Sequence, residues 1–484
     1  MANEDNKLKG EFSYHHKLIR VYNGKGHVHR YKNRPLDCQF ECVQTVEGKI
    51  FFKFDSFDPD LVINSEKVSC LSGYSDKGQY LHLNTPIFLT ATNFQYTYSA
   101  DELLSVEASG MLNPEEIKEL KFYLTNFKFI GRPRQWRLDG HDVTIKRVEN
   151  YEDVIREIQA TKSVDVTVEM SIKLPYSDTT LDITRVEKLA TDVCHLLSLA
   201  KGCKVQWLFW DAFSASGHRV KSYHWAPWIT PYSSMDLVVD NPPEDIDEFI
   251  LATFDNFRKE NSKGIWKLDE AIDHYVNSIL ERGLIELRAL NLVALMEYLT
   301  GCYADHHNII YFLEPIRFYE QKKELQRRIR DILEKCFQAE DLVKKDEQVK
   351  NVFNDMANKI EELNRRSFNT VLKQLMSSLQ LEIDKEERQK FIKIRNALVH
   401  KAQFLEAEEK IGNQKNTEEN TEDDKKQFLR VVAFVSRVML AILRYRGYYY
   451  DWHLHKPGDW AGPKLQGRVK MPCPDNKASP ASQK

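Results

Sequence analysis

Two consecutive prolines after Asn241 divide the chain into halves with different residue patterns. Consecutive prolines stop both strands and helices, so Asn241-Pro242-Pro243 predicts a domain boundary. Before the boundary, runs rich in aromatic and β-branched residues alternate with turn residues, which is typical of strands. After it, apolar residues recur at helical spacing to about Arg446. We therefore predict an α+β protein, with a β-rich N-terminal domain followed by an α-helical bundle.

Strand-like segments fill most of the N-terminal half, from residue 11 to about residue 240. Runs with β-rich composition occur at residues 51–54, 87–89, 94–98 and 120–130. The dipeptide Asn23-Gly24 predicts a tight hairpin turn, because both residues adopt positive φ angles easily. Two helices should interrupt the strands, at about residues 151–161 and 182–201.

One segment of the C-terminal half, from about Leu284 to Cys302, is apolar on nearly every side, as a central bundle helix is. Glu297 lies in this segment, on the same side as Leu290 and Val293. A carboxylate there is costly unless it is paired. The ordinary interpretation is that Glu297 reaches a helix end or a surface arginine.

Arg395, Asn396 and His400 form the chemically most distinctive motif of the chain, and we call them the polar trio. An arginine is a permanent cation whose planar donor fork suits phosphate, and a histidine is easily poised for proton transfer near neutral pH. With an amide between them, such groups could cut RNA without a metal ion. A second pair at the same spacing, Arg219 and His224, leads into a stretch typical of strand and loop. We interpret it as a chance pair.

The motif lies near the end of a predicted amphipathic helix. The helix opens with Asp384 and Glu387 in capping-box order and continues to His400. At 100° per residue, three apolar side chains form one stripe for the core. They are Phe391, Ile394 and Leu398.

The polar trio faces away from this stripe. Arg388 returns to nearly the same side as Arg395, and Lys393 and Lys401 add positive charge, so we predict that these three cations contact nucleic acid. Ile392 and Val399 border the trio with apolar surface, which indicates a face that meets another surface. The alternative is a solvated helix face on which His400, near the C-terminus of the helix, interacts favourably with the helix dipole.

The motif, late in an all-helical half, resembles the Arg-x4–6-His signature of HEPN ribonucleases (higher eukaryotes and prokaryotes nucleotide-binding domains). This resemblance covers roughly residues 264–450. The whole layout is similar to the ApeA-like branch, bacterial anti-phage proteins with a β-rich region before the HEPN domain. That similarity rests on order, size and the segment Trp207–Phe213. It implies an ApeA-like N-terminal domain at 1–240 with a sensing or regulatory role, a HEPN domain at 241–455 and a flexible tail at 456–484.

The resemblance implies a metal-independent endoribonuclease in anti-phage defence by abortive infection, with tRNA among the candidate substrates. The ribose 2′-OH would attack the adjacent phosphate. His400 would move protons, Arg395 would stabilise charge on the phosphoryl oxygens, and Asn396 would fix His400 or the scissile phosphate. HEPN domains often place an acidic or polar residue near this site, so in this second interpretation Glu297 orients Arg395 or His400. No cofactor and no metal ion is expected.

One histidine in each motif leaves the reaction short of either its acid or its base. The resemblance therefore implies a homodimer or higher oligomer in which two motif helices meet, and Ile392 and Val399 suit that interface. The remaining expected partners are the RNA substrate and a phage-derived trigger.

Two other functions stay open. The chain could be a non-catalytic HEPN module that binds nucleic acid or a protein, with the N-terminal domain as a recognition platform. It could also be a toxin silenced by a nucleotidyltransferase partner that modifies the HEPN face.

The composition narrows the classes of protein. The net charge of −3 gives no global basic field, so any RNA contact must come from a local patch. The eight cysteines lack paired zinc-ligand spacing, and we expect structural thiols in a reducing cytosol. Residues 1–9 are polar, and the longest apolar run, 428–443, contains two arginines and is too short to span a bilayer. These features predict a cytoplasmic protein without membrane contact.

Several other groups give weaker signals. Two histidine pairs, His306-His307 and His453-x-His455, suggest metal binding, but loops are the simpler interpretation. The aromatic groups Tyr448–Trp452 and Trp225/Trp228 could stack on bases, although core packing is the more common role. The polar, acidic segment 413–426 predicts an exposed loop.

Overall fold

In the computed structural model the chain forms two compact units. The structure describes residues 18–30, 36–55, 68–77, 79–84, 87–92, 95–100, 102–106, 117–129, 131–161, 163–174, 183–227, 229–230, 232, 235–238, 244–280, 283–336, 359, 364–405, 417–454 and 468–471. Unit 1 consists of Met1–Arg258, Ile272–Gly283 and Gly447–Lys470, and unit 2 of Lys259–Ala271, Leu284–Arg446 and Met471–Lys484. The predicted boundary residues 241–243 lie outside the described residues.

A large antiparallel sheet forms the N-terminal part of unit 1. Its strands are β1 Leu18–Arg30, β2 Leu36–Thr45, β3 Ile50–Asp55, β4 Val68–Ser75, β5 Tyr80–Asn84, β6 Ile87–Thr92, β7 Gln95–Ala100, β8 Glu102–Val106, β9 Ile117–Thr125, β10 Arg134–Leu138, β11 His141–Arg147, β12 Val166–Lys173, β13 Trp207–Ser214 and β14 Arg219–Trp225. Their order in the sheet is β10-β11-β12-β9-β13-β14-β8-β5-β4-β1-β2-β3-β7-β6. The predicted β-rich half is thereby confirmed.

The burial of side chains along the strands explains where the core lies. In β11, His141, Val143 and Ile145 are buried while their neighbours are not, as in a strand with one face to solvent. In β13, by contrast, residues on both faces are buried. Helix α2 (Ile183–Lys201) packs on β13, and the Trp210 indole N–H donates to the Glu187 carboxylate of α2 at 2.7 Å.

The two helices expected within this half are confirmed. Helix α1 spans Tyr151–Thr161 and packs on β12, and α2 begins one residue later than predicted. The hairpin turn expected at Asn23-Gly24 is wrong, because β1 continues through both residues. Asn23 pairs with Glu41 of β2, and Gly24 pairs both with Phe40 of β2 and with Ser75 of β4. Ladders on both sides of the strand therefore outweigh the local turn preference.

Helices make up most of the described C-terminal half. They are α3 Glu244–Ser262, α4 Leu268–Ile279, α5 Ile285–His306, α6 Pro315–Cys336, α7 Phe368–Ser378, α8 Lys385–Lys401 and α9 Thr417–Ile442. Helix α5 contacts α7, α8 and α9, which confirms the prediction of a central bundle helix. The α+β class therefore holds at the level of a β-rich half and a helical half.

The acidic segment predicted as a loop at 413–426 is helical from Thr417 onward, so that prediction is wrong there. Acidic residues near the start of a helix interact favourably with its dipole, so an acidic run does not by itself predict a loop. No helix among the described residues is long and apolar enough to cross a membrane.

A short antiparallel pair of strands ends the described part of unit 1. Strand β15 (Tyr448–Tyr450) pairs with β16 (Arg468–Lys470), which lies inside the predicted tail. Arg468 donates two hydrogen bonds of 2.7 Å to the Asp245 carboxylate. Its guanidinium carbon lies 3.6 Å from the centre of the Tyr448 ring. Tyr449 and Trp452 are buried, so core packing describes these aromatic residues better than base stacking.

The thiols of Cys42, Cys194 and Cys203 are buried, and none of the three forms a disulfide. Burial raises the pKa of the Cys194 thiol to about 12, and burial also raises the pKa of the Cys42 thiol. A thiol with so high a pKa carries little reactive thiolate near neutral pH. This agrees with structural roles for these side chains.

Candidate functional site

Helix α8 begins at a capped N-terminus that differs from the predicted capping box. The Asp384 side chain accepts a hydrogen bond of 3.1 Å from the Glu386 backbone N–H. Glu387, expected to cap in return, instead forms an ion pair with the buried Arg437 of α9, one of whose hydrogen bonds measures 3.1 Å. The long carboxylate therefore ties α8 to α9, because a buried guanidinium needs a partner more than an exposed backbone N–H does.

The predicted apolar stripe of α8 is confirmed. Phe391, Ile394 and Leu398 are each at most 3% exposed. The Phe391 ring lies nearly parallel to that of Phe434 in α9, with 4.1 Å between ring centroids. Burial of this stripe fixes the rotation of the helix, and so decides which side chains remain outside.

Arg395 is held by its neighbours on three of its five N–H groups. Its Nε donates to Oε1 of Glu297 in α5 at 2.7 Å, and a terminal nitrogen forms a second, very short bond to the same oxygen. The other terminal nitrogen donates to Oδ1 of Asn396 at 2.8 Å. The guanidinium carbon also lies 5.4 Å from the centre of the Phe368 ring in α7. Two N–H groups therefore remain for a ligand.

The Arg395–Glu297 pair lies at the border between core and solvent. The Arg395 side chain is 21% exposed and the Glu297 side chain 40% exposed. The structure thus brings Glu297 to Arg395, one of its two expected partners. The ordinary interpretation, a carboxylate reaching a surface arginine, describes the same contact, so geometry alone leaves both interpretations open.

His400 is exposed in the last turn of α8, and no described side chain hydrogen-bonds to its ring. Asn396 is also exposed and binds Arg395 rather than His400. Within one chain Asn396 therefore does not hold His400, and its alternative expected role, contact with the scissile phosphate, stays a prediction. The helix closes at Ala402, whose φ of 53° is left-handed and whose N–H donates to the Leu398 carbonyl.

The three cations expected to contact nucleic acid also lie on α8. Lys393 and Lys401 are exposed. Arg388 is half-buried, and its Nε is a buried donor without a hydrogen-bond acceptor among the described residues. Residues 364–401 contain nine Lys and Arg against four Asp and Glu, although the whole chain has a net charge of −3. This segment therefore carries a net positive charge, unlike the chain as a whole.

The second Arg/His pair has a structural role. His224 is fully buried in β14, where one ring nitrogen lies 2.9 Å from the Tyr22 hydroxyl and the other 2.7 Å from the Gln44 side-chain oxygen. Its ring also stacks on Phe209. This histidine belongs to the core of the sheet, as the interpretation of Arg219 and His224 as a chance pair requires.

The other histidine and tryptophan candidates remain separate from the polar trio. His306 ends α5 and His307 follows it, with 5.0 Å between their ring centroids. Among the described residues, no group of three His, Cys, Asp or Glu side chains is placed to hold a metal ion. Trp225 packs on Trp207 and donates to its carbonyl, while Trp228 and His455 lie outside the described residues.

One contact of the site, Phe368 beneath Arg395, has no signal in the sequence. The two residues lie in different helices, and Phe368 follows the cap residue Ser367 like any apolar residue at a helix start.

Compared with known proteins, the chain matches no family model, no curated protein and no solved structure. The HEPN resemblance therefore rests on the motif and on the order of the two halves.

Proposed function

We propose that the chain is a metal-independent endoribonuclease of the HEPN type. The observation that carries the proposal is the Arg395 guanidinium, which Glu297 and Asn396 hold in place with two N–H groups still available. A cation fixed in this way stabilises charge that develops on a phosphate without reorganising during the reaction. His400, exposed five residues later, supplies a group for proton transfer.

The proposed reaction begins with attack of a ribose 2′-oxygen on the adjacent phosphorus. The 2′-oxygen–phosphorus bond forms while the bond from phosphorus to the 5′-oxygen breaks. A base removes the 2′-OH proton, and an acid protonates the leaving 5′-oxygen. The products are a 2′,3′-cyclic phosphate and a 5′-hydroxyl. In this scheme Arg395 binds the non-bridging oxygens, and Glu297 acts only by positioning Arg395.

The proton transfers point to a dimer. Five residues of an α-helix turn by about 140° and rise about 7.5 Å, so Arg395 and His400 of one chain point in different directions. Two chains that meet along α8 would supply two histidines, one as base and one as acid. Val399 is 42% exposed and Ile392 is partly exposed, which leaves apolar surface suited to such a contact.

The role in anti-phage defence and abortive infection comes from the resemblance to ApeA-like proteins alone. It implies that the RNA, with tRNA among the candidates, is cut after a phage-derived signal.

A non-catalytic binding module is the second candidate, and the state of Arg395 favours it. Three of the five guanidinium N–H groups already have partners, and the His400 ring has no orienting partner among the described residues. An arginine in an interhelical ion pair can bind phosphate without any reaction. Binding of RNA without cleavage would distinguish this candidate from the nuclease.

The test is to incubate the full-length protein with total RNA in EDTA and to map the ends produced. We expect cleavage to persist and to leave 2′,3′-cyclic phosphate on the upstream fragment. His400→Ala and Arg395→Ala should each slow cleavage at least about 100-fold while the protein stays folded, as judged by circular dichroism. Recovery of 5′-phosphate ends with a strict Mg²⁺ requirement would overturn the mechanism.

The matched control is Arg156→Ala. Arg156 lies in α1, and its side chain is 78% exposed and forms an i,i+3 pair with Asp153. Its loss removes one positive charge from the surface and should leave cleavage unchanged. His224→Ala is unsuitable as a control, because it would leave buried hydrogen-bond partners unsatisfied.

A further inference from the structure

Large apolar side chains are concentrated on one exposed stretch of unit 2. Five of the twelve exposed large hydrophobic residues in the described chain fall between residues 311 and 319, and we call them the 311–319 patch. They are Tyr311 (42% exposed), Phe312 (54%), Leu313 (44%), Ile316 (70%) and Tyr319 (67%). An exposed patch of this kind usually marks a binding surface.

The patch is anchored to the start of α7. The Phe312 N–H donates to the Asn364 carbonyl at 2.8 Å, and the Asn364 side chain makes two further bonds, of 2.8 and 2.9 Å, to the Leu313 backbone. The Arg366 N–H donates to the Ile310 carbonyl at 2.8 Å. Asn364 is buried, so the residue that holds this segment is itself fixed by packing. The aromatic side chains are thus presented from a fixed backbone.

The same segment leads directly to the polar trio. The guanidinium carbon of Arg366 lies 4.9 Å from the centre of the Phe312 ring. Phe368, two residues after Arg366 in the chain, has its ring beneath the Arg395 guanidinium. Two residues span at most about 7 Å between Cα atoms. The backbone that anchors the patch therefore continues directly into the helix whose first residue, Phe368, contacts Arg395.

The charges around the patch favour a polyanion. Arg366 donates from Nε to the Tyr311 carbonyl at 3.3 Å, and neither it nor the exposed Arg365 forms an ion pair with a described carboxylate. Arg317 lies 3.8 Å from Glu314, a long and exposed pair that leaves the guanidinium accessible. Exposed aromatic rings beside accessible arginines are the combination that binds single-stranded nucleic acid.

From this surface we infer that the 311–319 patch holds unpaired nucleotides of the RNA strand cut beside Arg395. Phe312 stacks on one base with the face that Arg366 leaves open, and Tyr319 stacks on another. Bases in a duplex already stack on one another, so only an unpaired segment presents free faces. The inference rests on the proposed function and adds a substrate class, RNA that is single-stranded at the cut.

Binding is tested first, by fluorescence anisotropy with the full chain carrying His400→Ala to prevent cleavage. The probes are a labelled 12-nucleotide single strand and the same strand in a duplex. We expect the single strand to bind at least tenfold more tightly than the duplex. Phe312→Ala and Tyr319→Ala should each weaken single-strand binding about tenfold, the order of one lost base stack.

Matched controls separate stacking from general effects. Tyr74→Ala removes an aromatic side chain that is 52% exposed and packs on Tyr80 at 5.4 Å, and it should leave binding unchanged. Arg366→Gln should weaken binding, whereas Arg156→Gln should not. In the otherwise unmodified protein, Phe312→Ala should raise KM for a single-stranded substrate about tenfold with little change in kcat, because the stacked base lies away from the reacting phosphate.

The outcomes also separate this inference from the proposed nuclease activity. Patch-dependent binding without cleavage by the wild-type protein would keep the inference about binding and overturn the nuclease. Cleavage with equal single-strand and duplex affinity, or with Phe312→Ala and Tyr319→Ala both binding normally, would overturn the inference alone. Loss of self-association in Phe312→Ala without nucleic-acid binding would assign the patch to a contact between copies and overturn the inference.

Discussion

The Arg395–Glu297 pair allows a sharp test of how the site works. If Glu297 acts only through Arg395, then replacing both residues should cost no more activity than replacing Arg395 alone. Arg395→Ala removes the only fixed cation of the trio, and loss of one preorganised donor typically slows a reaction about 100- to 1000-fold. Glu297→Gln keeps an acceptor for the Arg395 Nε but removes the charge that holds it.

The size of the Glu297→Gln effect follows from the exposure of the pair. A hydrogen bond to a charged group contributes about 1.5–3 kcal/mol when shielded, and exposed ion pairs contribute about 0–1 kcal/mol. With Arg395 21% and Glu297 40% exposed, we expect a value between these limits. If Glu297→Gln removes about 1–1.4 kcal/mol of the free energy that holds Arg395 in its reactive position, kcat falls about five- to tenfold. KM should change little, because Glu297 does not touch the substrate.

The assay is a double-mutant cycle on kcat with a short single-stranded RNA substrate, accompanied by urea unfolding of each variant. We expect the double variant to match Arg395→Ala, and unfolding free energies to fall by no more than about 1.5 kcal/mol. Additive losses would refute the positioning role and make Glu297 an independent acid or base. Full activity in Arg395→Ala would refute the assignment of the site itself.

Three further predictions concern other parts of the chain. Val399→Asp should weaken self-association and cleavage together, as measured by sedimentation and by activity on dilution. The reason is that it places a carboxylate at the two-fold contact, next to the same carboxylate of the second chain. A monomer with full activity would contradict the dimer. Phe391→Ala should lower the free energy of unfolding in urea by about 3–5 kcal/mol, because it empties a buried position stacked on Phe434. Cys42, Cys194 and Cys203 should resist iodoacetamide until the protein unfolds, with peptide mass spectrometry as the measurement; early labelling at any of them would contradict their burial.

Helix α8 was predictable because its signals are local. The cap residue Asp384 and the spacing of Phe391, Ile394 and Leu398 depend on residues within a few turns of one another. Helical periodicity then fixed which side chains stay outside the core, including His400. The capping role predicted for Glu387 was wrong, because its partner Arg437 lies 50 residues away in α9.

The contacts that distinguish the site are not local, and this limits what periodicity can reveal. Glu297 was noticed because a carboxylate on an almost wholly apolar helix needs a partner, but its residue type does not name that partner. Arg395 lies 98 residues further along the chain. Phe368 gave no signal of any kind, since an apolar residue at the start of a helix is ordinary.

The sheet gives a second case, in which a local sequence signal is overridden by contacts between distant residues. Asn23-Gly24 has the local composition of a hairpin turn, yet it lies inside a strand that pairs on both sides. Strand pairing involves partners far apart in sequence. The turn preference of two residues is small beside the energy of the hydrogen bonds and side-chain contacts along the whole strand, so it does not decide whether the strand continues. The composition of the half predicts strands correctly, while the order β4-β1-β2 depends on contacts that no short segment encodes.

The rotation of α8 connects these contacts to the proposed chemistry. Arg395 turns toward Glu297 and α5, whereas His400 projects from the last turn about 140° away, so one chain offers a fixed cation and a free histidine in different directions. A two-fold axis near Val399 would bring each histidine toward the partner's arginine and would cover the apolar border of the trio. Under that arrangement a mixed dimer of one unmodified chain and one His400→Ala chain should lose most of its activity, because it keeps both arginines but only one of the two histidines that the reaction needs. Half of the activity of the unmodified dimer in such mixed dimers would instead place both proton transfers in a single chain's site.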